Sequence, residues 1–219
     1  MRRMMTMIVC AMLALGLAGC AGKADSVSVS DTTETTNNSS QETTSANDVT
    51  DVIVDDASLE EGTNVLVVYF SATGTTKEVA EKIAAITNAD IYEITPMQEY
   101  TSDDLNWHDA STRATREQND SSARPEIAND TISLDGYDTV YIGYPIWWGE
   151  EPRIMDTFVE SHAFDGMTVV PFCTSSSSGI GRSGKNLAEN AGSGNWLDGK
   201  RFGAGASQEE LAEWIDSMK

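Results

Sequence analysis

Basic residues, histidine and cysteine are all scarce in this chain. Its 219 residues hold 14 lysines and arginines against 35 aspartates and glutamates, a formal charge of −21 at pH 7. A surface of that sign repels phosphate backbones, so nucleic acid is excluded as a partner. Solubility is the plainest consequence of the excess. The two histidines, His108 and His162, lie far apart in sequence and offer no metal-ligand spacing. Of the three cysteines, Cys10 and Cys20 fall within the first twenty residues, which leaves Cys173 without a partner for an internal disulfide. A lone thiol ending an apolar run reads as a small buried hydrophobe before it reads as a nucleophile. Long apolar runs are also missing. The longest, Met4 to Leu17, falls short of the roughly 20 residues that span a bilayer.

That run has a clear alternative use. Arg2 and Arg3 precede it and Leu17-Ala18-Gly19-Cys20 closes it. The arrangement resembles a bacterial lipoprotein signal, which implies removal of residues 1–19 and lipidation of Cys20. Acyl chains on Cys20 would hold the mature chain on the outer, extracytoplasmic face of a membrane. Two methionines follow the paired arginines, so the fuller twin-arginine export pattern is not met. Residues 20–60 are rich in Ser, Thr, Asn, Asp and Glu, as in Asp31-Thr32-Thr33-Glu34-Thr35-Thr36. Such a segment has too little apolar surface to fold and reads as a tether with a reach of about 35 Å. Val52-Ile53-Val54 is its one apolar patch, either an added edge strand or a chance cluster.

Residues 61–219 have the length of one domain. Apolar runs alternate there with helical patterns. Val65 to Phe70 predicts a first strand, and Thr76 to Ile86, with Val79, Ile83 and Ile86 at helical spacing, a first helix. Strands follow at 91–94, 139–143 and 168–173, and a last extended segment at 198–203. Helices are expected near 111–118, 152–161, 184–190 and 208–218. Strands alternating with helices imply a parallel sheet covered on both faces.

Three strand ends carry unusual loops. Ser71-Ala72-Thr73-Gly74-Thr75-Thr76 places hydroxyls, a glycine and free backbone N–H groups at a helix start, an arrangement that holds phosphate without lysine. No Gly-Lys-Ser/Thr follows it, so it is not a Walker loop. The plainer alternative is an ordinary capped turn. Tyr144-Pro145-Ile146-Trp147-Trp148-Gly149 puts two adjacent indoles just beyond a strand. Neighbouring side chains on a strand face opposite ways, so both cannot enter one core. Either one lies at a pocket or surface, or both cap hydrophobic clusters. Pro171-Phe172-Cys173 runs into Thr174-Ser175-Ser176-Ser177-Ser178-Gly179, on its own a plain polar surface loop.

Together these loops resemble those of the flavodoxin-like proteins. The first is similar to that family's Ser/Thr-x-Thr-Gly-x-Thr phosphate loop, the second to a Tyr-Pro-x-Trp-Trp-Gly loop set against the isoalloxazine ring, and the third to a loop meeting the flavin's polar edge. The resemblance implies a doubly wound five-stranded parallel sheet in the order 2-1-3-4-5, a three-layer α/β/α fold, with flavin mononucleotide (FMN) as cofactor. It assigns the phosphate to Ser71, Ala72, Thr73, Gly74, Thr75 and Thr76. The ring falls to Pro145, Ile146, Trp147, Trp148 and Gly149, and the pyrimidine edge to Thr174, Ser175, Ser176, Ser177 and Gly179. Ala72 and Thr75 depart from residues common in the subfamily. Ala123-Arg124-Pro125-Glu126 is also similar to it, without an assigned role. Glu150 and Glu151, beside the tryptophans, are expected to disfavour an anionic reduced flavin. Three functions remain open: an electron carrier serving a redox partner protein or a small-molecule acceptor, a flavin-dependent NAD(P)H reductase of quinones or nitro compounds, and a binding module that has lost its cofactor.

Overall fold

The computed structural model describes residues 64–219. The leader, Cys20, the tether and Val52-Ile53-Val54 lie outside the described residues.

Strand β1 (Val65–Tyr69) alternates its side chains across the sheet, Leu66 and Val68 to one face, Val67 and Tyr69 to the other. Helix α1 (Thr75–Thr87) buries Val79, Ala80, Ile83 and Ala84 and stops at Asn88, which adopts a left-handed φ of 52°. Strand β2 (Asp90–Glu93) follows, then helix α2 (Arg113–Asn119) inside a long crossover, and strand β3 (Thr139–Pro145). Helix α3 (Arg153–Ser161) begins directly after Pro152, where a missing N–H costs nothing. Strand β4 (Thr168–Thr174), helix α4 (Ser183–Ala191), strands β5 (Asn195–Trp196) and β6 (Lys200–Phe202) and helix α5 (Gln208–Asp216) complete the order. Ser207 caps α5 by accepting the Glu210 N–H at 3.1 Å.

All pairings within the sheet are parallel, in the order β2-β1-β3-β4-β5, with β6 also on β4. The expected 2-1-3-4-5 order is therefore present, and its outer position is shared by two short strands. Helices α1 and α5 cover one face over Val67, Tyr141, Val170, Phe172 and Phe202, with Trp214 inserted from α5. Helices α3 and α4 cover the other, over Val68, Ile142, Tyr144, Phe158 and Leu187.

Pro171 accounts for the division of the outer strand. Val169 gives its carbonyl to the Leu197 N–H at 2.9 Å, and Pro171, two residues on, faces the same side with no N–H to donate. Two residues of β4 separate Val169 from Phe172, whereas three separate their partners Trp196 and Lys200. The extra residue is a bulge, and Gly199 lies in it. A Cβ at Gly199 would come within 2.4 Å of Ile180 Cδ1 and 2.6 Å of the Pro171 carbonyl oxygen.

The crossover between β2 and β3 is tied down at several points. Pro96 and Ile127 form an antiparallel bridge, with Met97 N donating to Glu126 O and Ala128 N to Thr95 O, each at 2.8 Å. Ala123-Arg124-Pro125-Glu126 acquires a role here. Arg124 grips Glu160 of α3 through two bonds of 2.8 and 2.6 Å, and the Thr157 hydroxyl donates to the Pro125 carbonyl at 3.0 Å. Cys173 is fully buried, and burial pushes its thiol up to about 12, in keeping with a small core hydrophobe. Among the described residues no group of acids, histidines or cysteines has metal-binding geometry, and no helix is long and apolar enough to cross a membrane.

Candidate functional site

A cleft of about 520 Å³ opens over the carboxyl ends of β1, β3 and β4. It is lined by Ser71, Ala72, Thr73, Thr75 and Thr76 from the first loop, Pro145, Ile146, Trp147 and Trp148 from the second, and Thr174, Ser175 and Ser176 from the third. Three loops distant in sequence thus share one cavity, because parallel strands point all their carboxyl ends the same way. Gly74, Gly149, Ser177 and Gly179 do not line it; the first two shape their turns, and the others lie further out along an exposed loop. The crossover adds Leu105, Trp107 and Ala114, and the turn after β6 adds Ala204. Trp107, a solitary indole in a polar stretch, carried a readable signal. The two alanines and Leu105 carried none. Among the described residues no charged side chain lines the cleft.

At one end the cleft meets the start of α1. Gly74, with φ 90°, occupies the cap position and donates its N–H to Ser71 Oγ at 3.1 Å. The N–H groups of Thr75, Thr76 and Lys77 have no acceptor within the helix and lie at the positive end of its dipole. The Thr76 and Thr174 hydroxyls, both buried, are bonded to each other at 2.8 Å, which fixes the first loop against the end of β4. One of their two hydrogens stays free for a ligand. Lys77 turns away to pair with Glu93 at 3.3 Å. Hydroxyls and amides alone form this cradle.

At the other end stand the tryptophans. Trp147 and Glu150 exchange two backbone bonds of 3.0 Å around Trp148 and Gly149, whose φ values of 50° and 87° make a type I′ turn. Gly149 adopts this conformation freely; Trp148 is held in it. Trp147 packs edge-on against Phe70 at 5.7 Å and Tyr100 at 5.0 Å between ring centroids, forming a fixed wall. Tyr100 is itself anchored, donating to Glu117 at 2.5 Å beneath the Arg113 guanidinium, 4.1 Å from its ring. Burial and the Glu117 carboxylate drive its phenol pKa upward. Trp148 is 44% exposed and Trp107 67%. One indole of the pair therefore joins the aromatic cluster and the other stays free, while both face the cleft.

The two neighbouring glutamates are engaged away from the cleft lining. Glu150 is paired with Arg153 at 2.8 Å, and neither it nor Glu151 lines the cleft. Glu151 is buried among α2, α3 and α4, where its carboxylate accepts from Asn186 at 3.3 Å and lies 3.8 Å from Arg153. Arg153 also meets Asp156, at 3.4 Å, and donates to the Gln118 carbonyl at 3.1 Å. Desolvation pushes Glu151 up to about 7 and raises Asp156 too, which removes charge from this region instead of concentrating it.

The third loop is fixed from behind. Arg201 of β6 donates to Ser175 Oγ at 3.2 Å and to the carbonyls of Ser175 and Ser176 at 2.8 and 2.7 Å. Ser175 Oγ in turn donates to the Ser178 carbonyl.

The sequence model of the flavodoxin family matches residues 64–218. Two solved structures, both candidate flavoproteins, are similar in sequence as well as in fold. One, from Bacteroides uniformis, is 46% identical over 71% of this chain and 99% of its own, with a TM-score of 0.68. The other, from Bacteroides eggerthii, is 44% identical over 70% and 96%, with a TM-score of 0.66. A flavoprotein from Lactobacillus acidophilus, solved in complex with FMN, shares the fold at 22% identity, covering 70% of this chain and 99% of its own, with a TM-score of 0.52. No curated protein matches the chain. With its sheet order, its three-loop cleft and the family match over essentially all described residues, the chain belongs to the flavodoxin family.

Proposed function

We propose that the protein binds FMN in this cleft and carries electrons at the outer face of a bacterial membrane, held there by lipid on Cys20. The observation that carries the reading is the polarity gradient of the cleft: a cation-free cradle of hydroxyls and helix-start amides at one end, indoles at the other. A planar, phosphate-tailed ligand matches that gradient, and the volume lies within the usual range for cofactor sites. The Lactobacillus flavoprotein with FMN supports the choice of ligand. When bound, FMN would supply reversible acceptance of electrons on its ring.

The residues divide the work. Ser71, Thr73, Thr75 and Thr76, with the first N–H groups of α1, would hold the phosphate, and Ala72 and Gly74 keep the loop tight. Trp148 offers its face to the ring, while Trp147, with Pro145 and Ile146, closes the apolar wall and keeps water out. Thr174, Ser175 and Ser176 bring hydroxyls and peptide groups to the polar edge. The partner class is a redox protein or small acceptor reached from the tether.

A second reading, an FMN-dependent NAD(P)H reductase of quinones or nitro compounds, draws on the exposed Trp107 and Trp148, whose apolar surface at the cleft mouth suits a flat acceptor. The mature chain decides between them. Titration with FMN should give saturable flavin absorbance, and NADPH with a quinone should give no steady turnover without a partner protein. Turnover by the purified chain would favour the reductase. A chain that never takes up FMN would leave the cofactor-free binding module. In cells, Cys20→Ser should move the protein from the membrane fraction to the soluble one; an unchanged distribution would reject the anchor.

A further inference from the structure

We propose that Arg201 is a positioning residue that sets how strongly the cleft favours the electron-rich form of its ligand, acting through the Ser175–Ser176 turn. This rests on the reading that a flavin occupies the cleft. Arg201 itself does not line the cavity, but the two serines it grips do. In a trans peptide the N–H points opposite to the C=O. Since the Ser175 and Ser176 carbonyls both turn to the guanidinium, the N–H groups that share their peptides, those of Ser176 and Ser177, point away from it, and Ser176 is a residue of the cleft wall. Neither N–H has a hydrogen-bond partner among the described residues. The guanidinium thus fixes and polarises two peptide units whose positive ends point away from it, the Ser176 N–H at the cleft wall and the Ser177 N–H next to it.

Among the described residues no carboxylate lies within 4.0 Å of Arg201, whereas Arg113, Arg124 and Arg153 are each paired with acids. The cleft lining is otherwise free of charge, so Arg201 is the cation bound directly to its rim. Reduction by two electrons and one proton leaves a flavin anionic, and a cation behind a polarised turn of the cleft wall stabilises that form over the neutral oxidised ring. The turn by itself provides amides; Arg201 supplies their orientation and a net charge.

The test compares midpoint potentials of the FMN-loaded mature chain and of Arg201→Gln and Arg201→Lys. In Arg201→Gln, affinity for reduced FMN should fall at least tenfold more than affinity for oxidised FMN, which moves a two-electron midpoint about 30 mV negative. Arg201→Lys keeps the charge without the fork and should stay nearer the wild type in potential while binding both forms more weakly. An unchanged potential in loaded Arg201→Gln overturns the inference alone. If Arg201→Gln holds no FMN, the lysine variant decides, and a shift in it as large as a tenfold change in relative affinity overturns the role of charge. A wild-type chain that takes up no FMN overturns the flavin reading, and this inference with it.

Discussion

Trp148 carries backbone strain. Besides Asn88 it is the only non-glycine among the described residues with positive φ, a conformation that costs an L-residue about 1 kcal/mol. Asparagine tolerates it better. Trp148→Asn should therefore stabilise the ligand-free protein by about 1 kcal/mol in urea unfolding while weakening FMN about tenfold in a fluorescence titration. Equal or lower stability would show that the turn is not strained by its tryptophan. The same residue shows what sequence can tell. Adjacency dictated that the two indoles could not share a core; which of them packs on Phe70 and Tyr100 depended on a turn formed by backbone bonds to Glu150. Glu150 and Glu151 looked like charges beside the ring, but Arg153, one turn later, pairs with the first and the helices bury the second.

Elements were legible where periodicity was long. β1, α1, β4 and α5 were predicted to within a few residues, since each helix buries one apolar stripe and each strand is a continuous apolar run buried on both faces. β3 continues through Tyr144 and Pro145 because both still pair with β4, a fact that proline obscures in sequence. β5 has no periodicity to read, being two residues that exist as a strand through pairing with Thr168 and Val169. The bulge between β5 and β6 sets the register that puts Arg201 behind the serine turn and Ala204 at the cleft, so it is an element of the site. Gly199→Ala should cost about 2 kcal/mol of stability, since its Cβ would press on the Pro171 carbonyl. A variant carrying this change without loss in thermal or urea unfolding would mean that the outer strand is more plastic than described.

For the molecule as a whole, charge and burial set the pH response. Glu151 has a folded pKa near 7, above that of an exposed glutamate, so the folded state binds the extra proton and the unfolded state does not. Stability from this group is complete below the unfolded value and is lost as pH rises through about 7. The loss is about 3 kcal/mol, from about 1.4 kcal/mol per pH unit. Asp156, also raised, acts with the same sign. Urea unfolding should show falling stability from pH 5 to 8, and Glu151→Gln should flatten that slope and exceed the wild type at pH 8. A wild type that gains stability over this range would contradict the buried network between α2, α3 and α4.

The residue string alone determined a parallel sheet covered on both faces and the three loops at the strand ends, because periodicity and strand-to-helix alternation are local properties, while the sheet order followed from the resemblance those loops carry. It also determined the chemistry of the cradle, since hydroxyls and a glycine at a helix start need no distant partner. Tertiary structure alone decided that Leu105, Trp107 and Ala204 complete the cavity, that Arg153 removes the glutamates from it, and that Arg201 stands behind the serine turn. The cavity lining, the Arg201 turn and the burial of Glu151 by α2 and α4 join residues tens of positions apart, and only packing of the folded chain brings them together.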